Sequence, residues 1–215
     1  MFIKKMNEKL SLALEDIGLE KANPLQKAIF GTIKSGADCV VIAPKKSGKT
    51  TAIVLSVIQQ LGEAFEESPR ALIIVQDKVK MLEMKELFDR LGGYTDLRVY
   101  GVHDQGNTDY DKNHISVGID VLIGTPNKLS EMFSTAGYNV NKLKMFILED
   151  VDTLLKSRFE TKIARISESM NKTQRLFFGE QTSERVEILA DRILIEPNWF
   201  EMEIDEEEDD EEQEA

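Results

Sequence analysis

The sequence predicts an α/β protein built on a parallel sheet with helices on both faces. Three observations carry that expectation. Short apolar runs rich in β-forming residues alternate with longer segments of helical period. The runs are continuous, as in strands buried on both faces. A chain of 215 residues that is 41% hydrophobic is long enough for one α/β domain with a sizeable core, and short for two.

Taken in order, Asn23-Pro24 reads as an N-cap followed by proline at the first helical position, opening a helix that stops near Gly36. "CVVIA" (39–43) is the first strand, and a loop leads from it into a helix beginning at Gly48. "ALIIV" (71–75) follows, and then Asp77 caps "KVKMLEMKELFDRL". There Val79, Leu82, Leu87 and Leu91 keep a helical spacing until Gly92-Gly93 ends it. "LRVYG" (97–101) and "VLIG" (121–124) are the next strands, and Thr125-Pro126 starts a helix running to Gly137. "KMFIL" (144–148) and "RLFFG" (175–179) complete six strands, and Ser183 caps "ERVEILADRI".

The formal net charge of −12 is concentrated at one end. The last fifteen residues carry eleven carboxylates and no base, which leaves residues 1 to 200 at about −1. This divides the chain into a folded body, 1–196, and an acidic tail, 197–215, too charged to bury anything and expected to be disordered. The single cysteine, Cys39, sits in an apolar run and reads as a buried core thiol. The N-terminal segment mixes charges among its apolar positions, unlike a signal peptide, and no stretch approaches the ~20 apolar residues of a membrane span. A cytoplasmic protein without membrane contact is expected.

The strongest chemical signal is "APKKSGKTTA" (43–52). A strand, a loop ending Ser47-Gly48-Lys49-Thr50 and a helix form the context in which backbone N–H groups converge on a phosphate. Lys45, Lys46, Ser47, Gly48, Lys49, Thr50 and Thr51 are the expected nucleotide-binding residues. Lys49 reaches the β and γ phosphates, and the Thr50 hydroxyl is an expected Mg²⁺ ligand. Lys46 stands where such loops keep glycine; if the position needs positive φ, it costs about 1–2 kcal/mol.

With "GLEKANPLQ" (18–26), "GTPNK" (124–128) and "ILEDVD" (147–152) in the same order, the chain resembles the N-terminal RecA-like domain of DEAD-box ATP-dependent RNA helicases over roughly residues 2 to 196. The resemblance implies a P-loop NTPase with a doubly wound RecA-like sheet, ATP and Mg²⁺ as cofactors, and RNA as partner. It implies that Gln26 reads adenine, its amide matching a donor and an acceptor on the base. Phe2 lies near the family's upstream aromatic. In the Asp-Glu-Ala-Asp box the first acid holds the metal and the second serves the attacking water. Here the two are exchanged, with Glu149 as metal residue and Asp150 as base beside Lys49 in the catalytic set. RNA contact is implied for Gly124, Thr125 and Lys128 at a helix start, and for Lys78 in place of a family arginine.

Gly101-Val102 keeps half of a glycine pair, and Gly179-Glu180-Gln181 replaces the family's Ser-Ala-Thr. The family's second RecA-like domain, with its arginine fingers, is expected to come from another chain if the protein unwinds RNA. Two functions are therefore expected: an ATP-binding, weakly RNA-binding domain with slow or absent hydrolysis, or a non-catalytic adaptor working through protein contacts and the acidic tail. His103 and His114, in "GVHDQGNTDYDKNH", read as parts of a solvated loop and short helix in preference to a metal site. Trp199 and Phe200 form an apolar patch beside the tail.

Overall fold

The computed structural model describes residues 6–19 and 21–203; Phe2 and the acidic residues 204–215 lie outside these. Among the described residues, one sheet contains β1 (Cys39–Ile42), β2 (Ala71–Ile74), β3 (Val99–Val102), β4 (Val121–Gly124), β5 (Met145–Leu148), β6 (Gln174–Gly179) and β7 (Asn198–Glu201). All pairings are parallel, in the order β3-β4-β2-β5-β6-β1-β7.

Alternation along each strand sends successive side chains to opposite faces, so one sheet carries two cores. Val41, Ile73, Ile147 and Phe178 pack under α1 (Glu8–Asp16), α2 (Pro24–Lys34), α3 (Lys49–Leu61) and α4 (Lys78–Leu91). Val40, Leu72, Phe146 and Phe177 pack under α5 (Thr108–Ser116), α6 (Pro126–Ser134), α7 (Val151–Lys156), α8 (Glu160–Glu168) and α9 (Glu184–Ile193). The expected helix starts are built as their residues require. The side chains of Asn23, Asp77 and Ser183 accept from the backbone N–H groups of Gln26, Lys80 and Val186. Cys39 is fully buried, and burial, with Asp38 beside it, pushes its thiol up to about 12.

Two elements differ from the sequence expectation. On α4, Val79 and Leu82 are 62% and 49% exposed, whereas Met81, Met84, Phe88 and Leu91 are buried. Both stripes have helical spacing, and the rotation of the helix on the sheet chooses between them. Gly101 helps fix that rotation, since a Cβ there would lie 2.1 Å from the Met81 sulfur. The second difference is β7, which occupies residues assigned to the acidic tail. Its Asn198 and the following Met202 donate N–H bonds to Asp38 and Ile42 carbonyls, both at 2.9 Å. Phe200 and Met202 point into the core while Trp199 stays 41% exposed, an alternation hidden among carboxylates.

A parallel sheet places the C-terminal ends of all its strands along one edge, where open α/β sheets bind ligands. Residues 43–50, 76–80, 103–106, 125–128, 149–152 and 180–182 all follow strands and therefore meet there. Among the described residues, no helix is long and apolar enough to cross a membrane.

Candidate functional site

The loop after β1 is held on three sides. Ala43 N–H donates to the Gly179 carbonyl at 3.0 Å, tying the strand end to β6. Asn23 donates its side-chain amide to the Ser47 carbonyl at 2.8 Å. Gly48 has φ +87°, and a Cβ there would lie 2.4 Å from that same Asn23 nitrogen, so glycine is required on two grounds. Lys46 has φ +62°, so the condition left open in the sequence is met and the residue is held in the left-handed conformation. A Lys46→Gly variant should relieve about 1–2 kcal/mol of that strain, against about 0.5–1 kcal/mol of extra unfolded-state entropy. The urea midpoint is expected to hold or rise by the equivalent of up to ~1.5 kcal/mol with an unchanged slope; a clear fall would show that the Lys46 side chain is itself stabilising.

Lys49 opens α3 almost buried, its ammonium donating to the carbonyls of Ala43 (2.7 Å) and Pro44 (2.9 Å). Burial pulls its pKa below the usual lysine value, and Asp150, Glu180, Asp152 and Glu149 pull it back. Thr50 donates its hydroxyl to Glu149 Oε1 at 2.5 Å, joining the two expected metal residues across 99 positions of sequence. Glu149 is 2% exposed, and its other oxygen, Oε2, is buried without a hydrogen-bond partner among the described residues. Burial raises the Glu149 carboxyl to about 7, with Asp150 and Glu83 adding to the rise and the Thr50 bond and Lys80 opposing it.

Asp150 follows in the left-handed conformation (φ 51°, ψ 51°) at the N-cap of α7, which turns its side chain away from the strand course. Burial raises its pKa, and the nearby Lys80 and Lys49 lower it. Asp152 accepts the Glu180 N–H at 3.1 Å, so the strand ends after β5 and β6 stay linked although the Ser-Ala-Thr side chains are replaced. Glu180 also lies 3.8 Å from Lys45, which is 80% exposed. A pair that exposed is worth little.

Beside the loop lies a cavity of about 200 Å³ whose lining includes Leu19, Ala22, Asn23, Gln26, Thr51 and Leu55. Gln26 is 8% exposed; its Oε1 accepts from Asn23 N at 3.2 Å, and its amide nitrogen lies beside Gly48. The expected adenine residue and the phosphate loop thus share a wall.

The expected RNA residues are less uniform. Lys78 is exposed at the start of α4. Gly124 ends β4 in tight packing, where a Cβ would lie 2.7 Å from both Leu129 and Val102. Thr125 is 3% exposed and donates its hydroxyl to Asp104 at 2.7 Å. Lys128 departs from its expected role at RNA phosphates: it is 1% exposed, donates to the Gly106 carbonyl (2.8 Å) and Thr108 hydroxyl (2.6 Å), and lies 3.3 Å from Asp111. Those three groups complete a cage that draws the ammonium inward. His114 sits on α5, its ring stacked on Tyr100 at 4.1 Å.

Asn23, Lys80 and Asp104 contact or face candidate site residues, which sequence reasoning passed over. Asn23 looked like a helix cap alone. Burial works against the Lys80 ammonium, but Glu149, Glu83 and Asp150 outweigh it and hold its pKa above the usual value. Its spacing from Asp77 on the first turn of α4 was the available signal.

A parallel sheet with helices on both faces, a phosphate loop between β1 and α3, and paired acids after β5 define a P-loop NTPase with a RecA-like fold. The chain belongs to the DEAD/DEAH box helicase family, whose model matches residues 23–180. Similar proteins include the ATP-dependent RNA helicase eIF4A of Lodderomyces elongisporus, 28% identical over 69% of this chain and 37% of that protein. The ATP-dependent RNA helicase RhlB of Pseudomonas syringae pv. tomato is 26% identical over 89% of this chain and 51% of that protein. The ATP-dependent RNA helicase DeaD of Mycobacterium tuberculosis is 24% identical over 86% and 33%, respectively. The chain spans between a third and a half of the length of these relatives.

Proposed function

We propose that the chain binds ATP with Mg²⁺ at the loop of residues 45–51, hydrolyses it slowly, and touches RNA weakly without acting as an autonomous helicase. The observation that carries this reading is the Thr50–Glu149 bond with the orphaned Glu149 Oε2 beside it. A hydroxyl and a buried carboxylate oxygen form a hard-oxygen donor set suited to Mg²⁺. Ser47 Oγ is also buried without a partner among the described residues.

In this reading Gln26 holds the adenine edge and the loop amides hold the phosphates. Lys49 exchanges two carbonyl partners for phosphate oxygens. Thr50 and Glu149 would hold Mg²⁺, which would supply neutralisation of phosphate charge. Asp150 takes the proton of the attacking water. The exchanged acids displace each carboxylate by about one methylene, and ~1 Å of misplacement costs roughly 10²-fold in rate, which supports slow turnover. Lys78 and the α6 start at Gly124 and Thr125 meet RNA phosphates. A second RecA-like domain or chain closing over the site would complete the arginine contribution.

Titrating ATP with and without Mg²⁺, then measuring turnover with and without single-stranded RNA, tests the proposal. Binding that depends on Mg²⁺, with turnover changing less than about tenfold on adding RNA, is expected. Binding indifferent to Mg²⁺ would remove the metal assignment, and strong RNA-stimulated hydrolysis would refute slow turnover.

A further inference from the structure

The loop after β3 carries a carboxylate in the place where the proposed RNA reading needs a phosphate. Asp104 Oδ1 accepts the Thr125 hydroxyl at 2.7 Å, and Oδ2 accepts the Asn127 side-chain amide at 3.3 Å. The donors are the N-cap residue and a first-turn residue of α6, whose first N–H groups lack intrahelical partners and whose dipole favours an anion. Lys162 holds the other end of the Asn127 amide.

Asp104 is exposed, and its two hydrogen bonds and the turn it sits on hold it in this position. Gly106 N–H closes the turn onto the His103 carbonyl at 2.8 Å. From beneath, Lys128 donates to the Gly106 carbonyl at 2.8 Å and lies 3.3 Å from Asp111, itself fixed by the Tyr100 hydroxyl at 2.8 Å. The turn is therefore closed on itself and tied at Gly106, and Asp104 bonds to the α6 start. The one lysine of the "GTPNK" segment is spent on holding that turn. An RNA phosphate arriving at Thr125 would meet a carboxylate already bonded to the same hydroxyl, and like charges at such separation repel.

We propose that Asp104 is a specificity-determining residue that occupies the nucleic-acid phosphate position at the N-terminus of α6. It keeps RNA affinity low by competing for Thr125 and Asn127. This rests on the reading that the α6 start and Lys78 form the RNA-facing edge. Opening the position adds one phosphate contact, which steepens the salt dependence of binding as well as tightening it.

The test is fluorescence anisotropy of a labelled single-stranded oligouridylate, titrated with the whole chain across a salt series. Wild type, Asp104→Ala, Asp104→Asn and Lys78→Ala are compared. Asp104→Ala is expected to bind about tenfold more tightly at low salt, with the slope of log K against log salt steeper by about 0.7. Asp104→Asn keeps the size of the side chain and removes its charge, and is expected to move affinity in the same direction, so the proposal stays testable if the alanine variant folds poorly. If wild type and both Asp104 variants bind with equal affinity and slope while Lys78→Ala weakens all binding, Asp104 has no such role and the RNA edge stands. If no variant binds RNA at low salt, the RNA edge falls and Asp104 with it.

Discussion

Replacing Lys49 by alanine is expected to weaken ATP·Mg²⁺ binding by about 100-fold or more, while Lys45→Ala changes it by less than about threefold. The Lys49 ammonium is almost buried and hydrogen-bonded to two loop carbonyls. A charge-assisted bond made from a buried position is worth up to roughly 3 kcal/mol, or about two decades in affinity. Lys45 is 80% exposed, so solvent and salt screen it. Loss of Lys49 also removes one of the cations that offset Asp150, Glu180, Asp152 and Glu149, which opposes the approach of a polyanion further. Isothermal titration, paired with a thermal melt to show that the variant is folded, reads the effect. Near-normal affinity in folded Lys49→Ala would remove the phosphate-loop assignment.

The second large effect is a pH dependence centred on Glu149. Its carboxyl is raised from 4.5 to about 7 in the folded chain, mainly by burial. The folded state therefore binds more protons than the unfolded state between those values, so stability is greatest below the unfolded pKa and falls as pH rises toward 7. At 1.36 kcal/mol per unit, the loss is about 3 kcal/mol. Glu149→Gln keeps an oxygen for the Thr50 hydroxyl and cannot ionise. It is expected to match wild type near pH 5 and to exceed it by roughly 2–3 kcal/mol at pH 8, read from urea midpoints. Parallel pH profiles for the two proteins would overturn the assignment. The same carboxylate must lose its proton to hold Mg²⁺, so nucleotide affinity of the wild type is expected to fall about tenfold per pH unit below 7 in Mg²⁺ and much less in its absence.

Most of the scaffold was legible. The six strands lie within a residue or two of their apolar runs, because a strand buried on both faces needs a run of apolar residues that few other elements share. The helix starts at Pro24, Lys78 and Glu184 follow from side chains that satisfy a first-turn N–H group, and the start at Pro126 follows from proline at the first helical position. β7 was not legible, since a short edge strand bounded by acids shows only Phe200 and Met202 as its inward pair. The choice between two apolar stripes on α4 was not legible either.

The order of motifs located the nucleotide-site candidates, and the structure gathers Gln26, Lys49, Thr50, Glu149 and Asp150 at one sheet edge. Residue type suggested what each of these could do, since a hydroxyl, an ammonium and a pair of carboxylates have fixed chemistries wherever they sit. Direction was another matter. Lys128 turned inward to Asp111, Thr125 was taken by Asp104, and burial raised the Glu149 carboxyl to about 7. Local spacing and residue chemistry are carried by neighbours in sequence, so the sequence alone determined the parallel α/β scaffold, the phosphate loop and the candidate groups. Which charges meet, which are buried and which remain available depends on contacts between segments as distant as residues 50 and 149, and only the tertiary structure decides those.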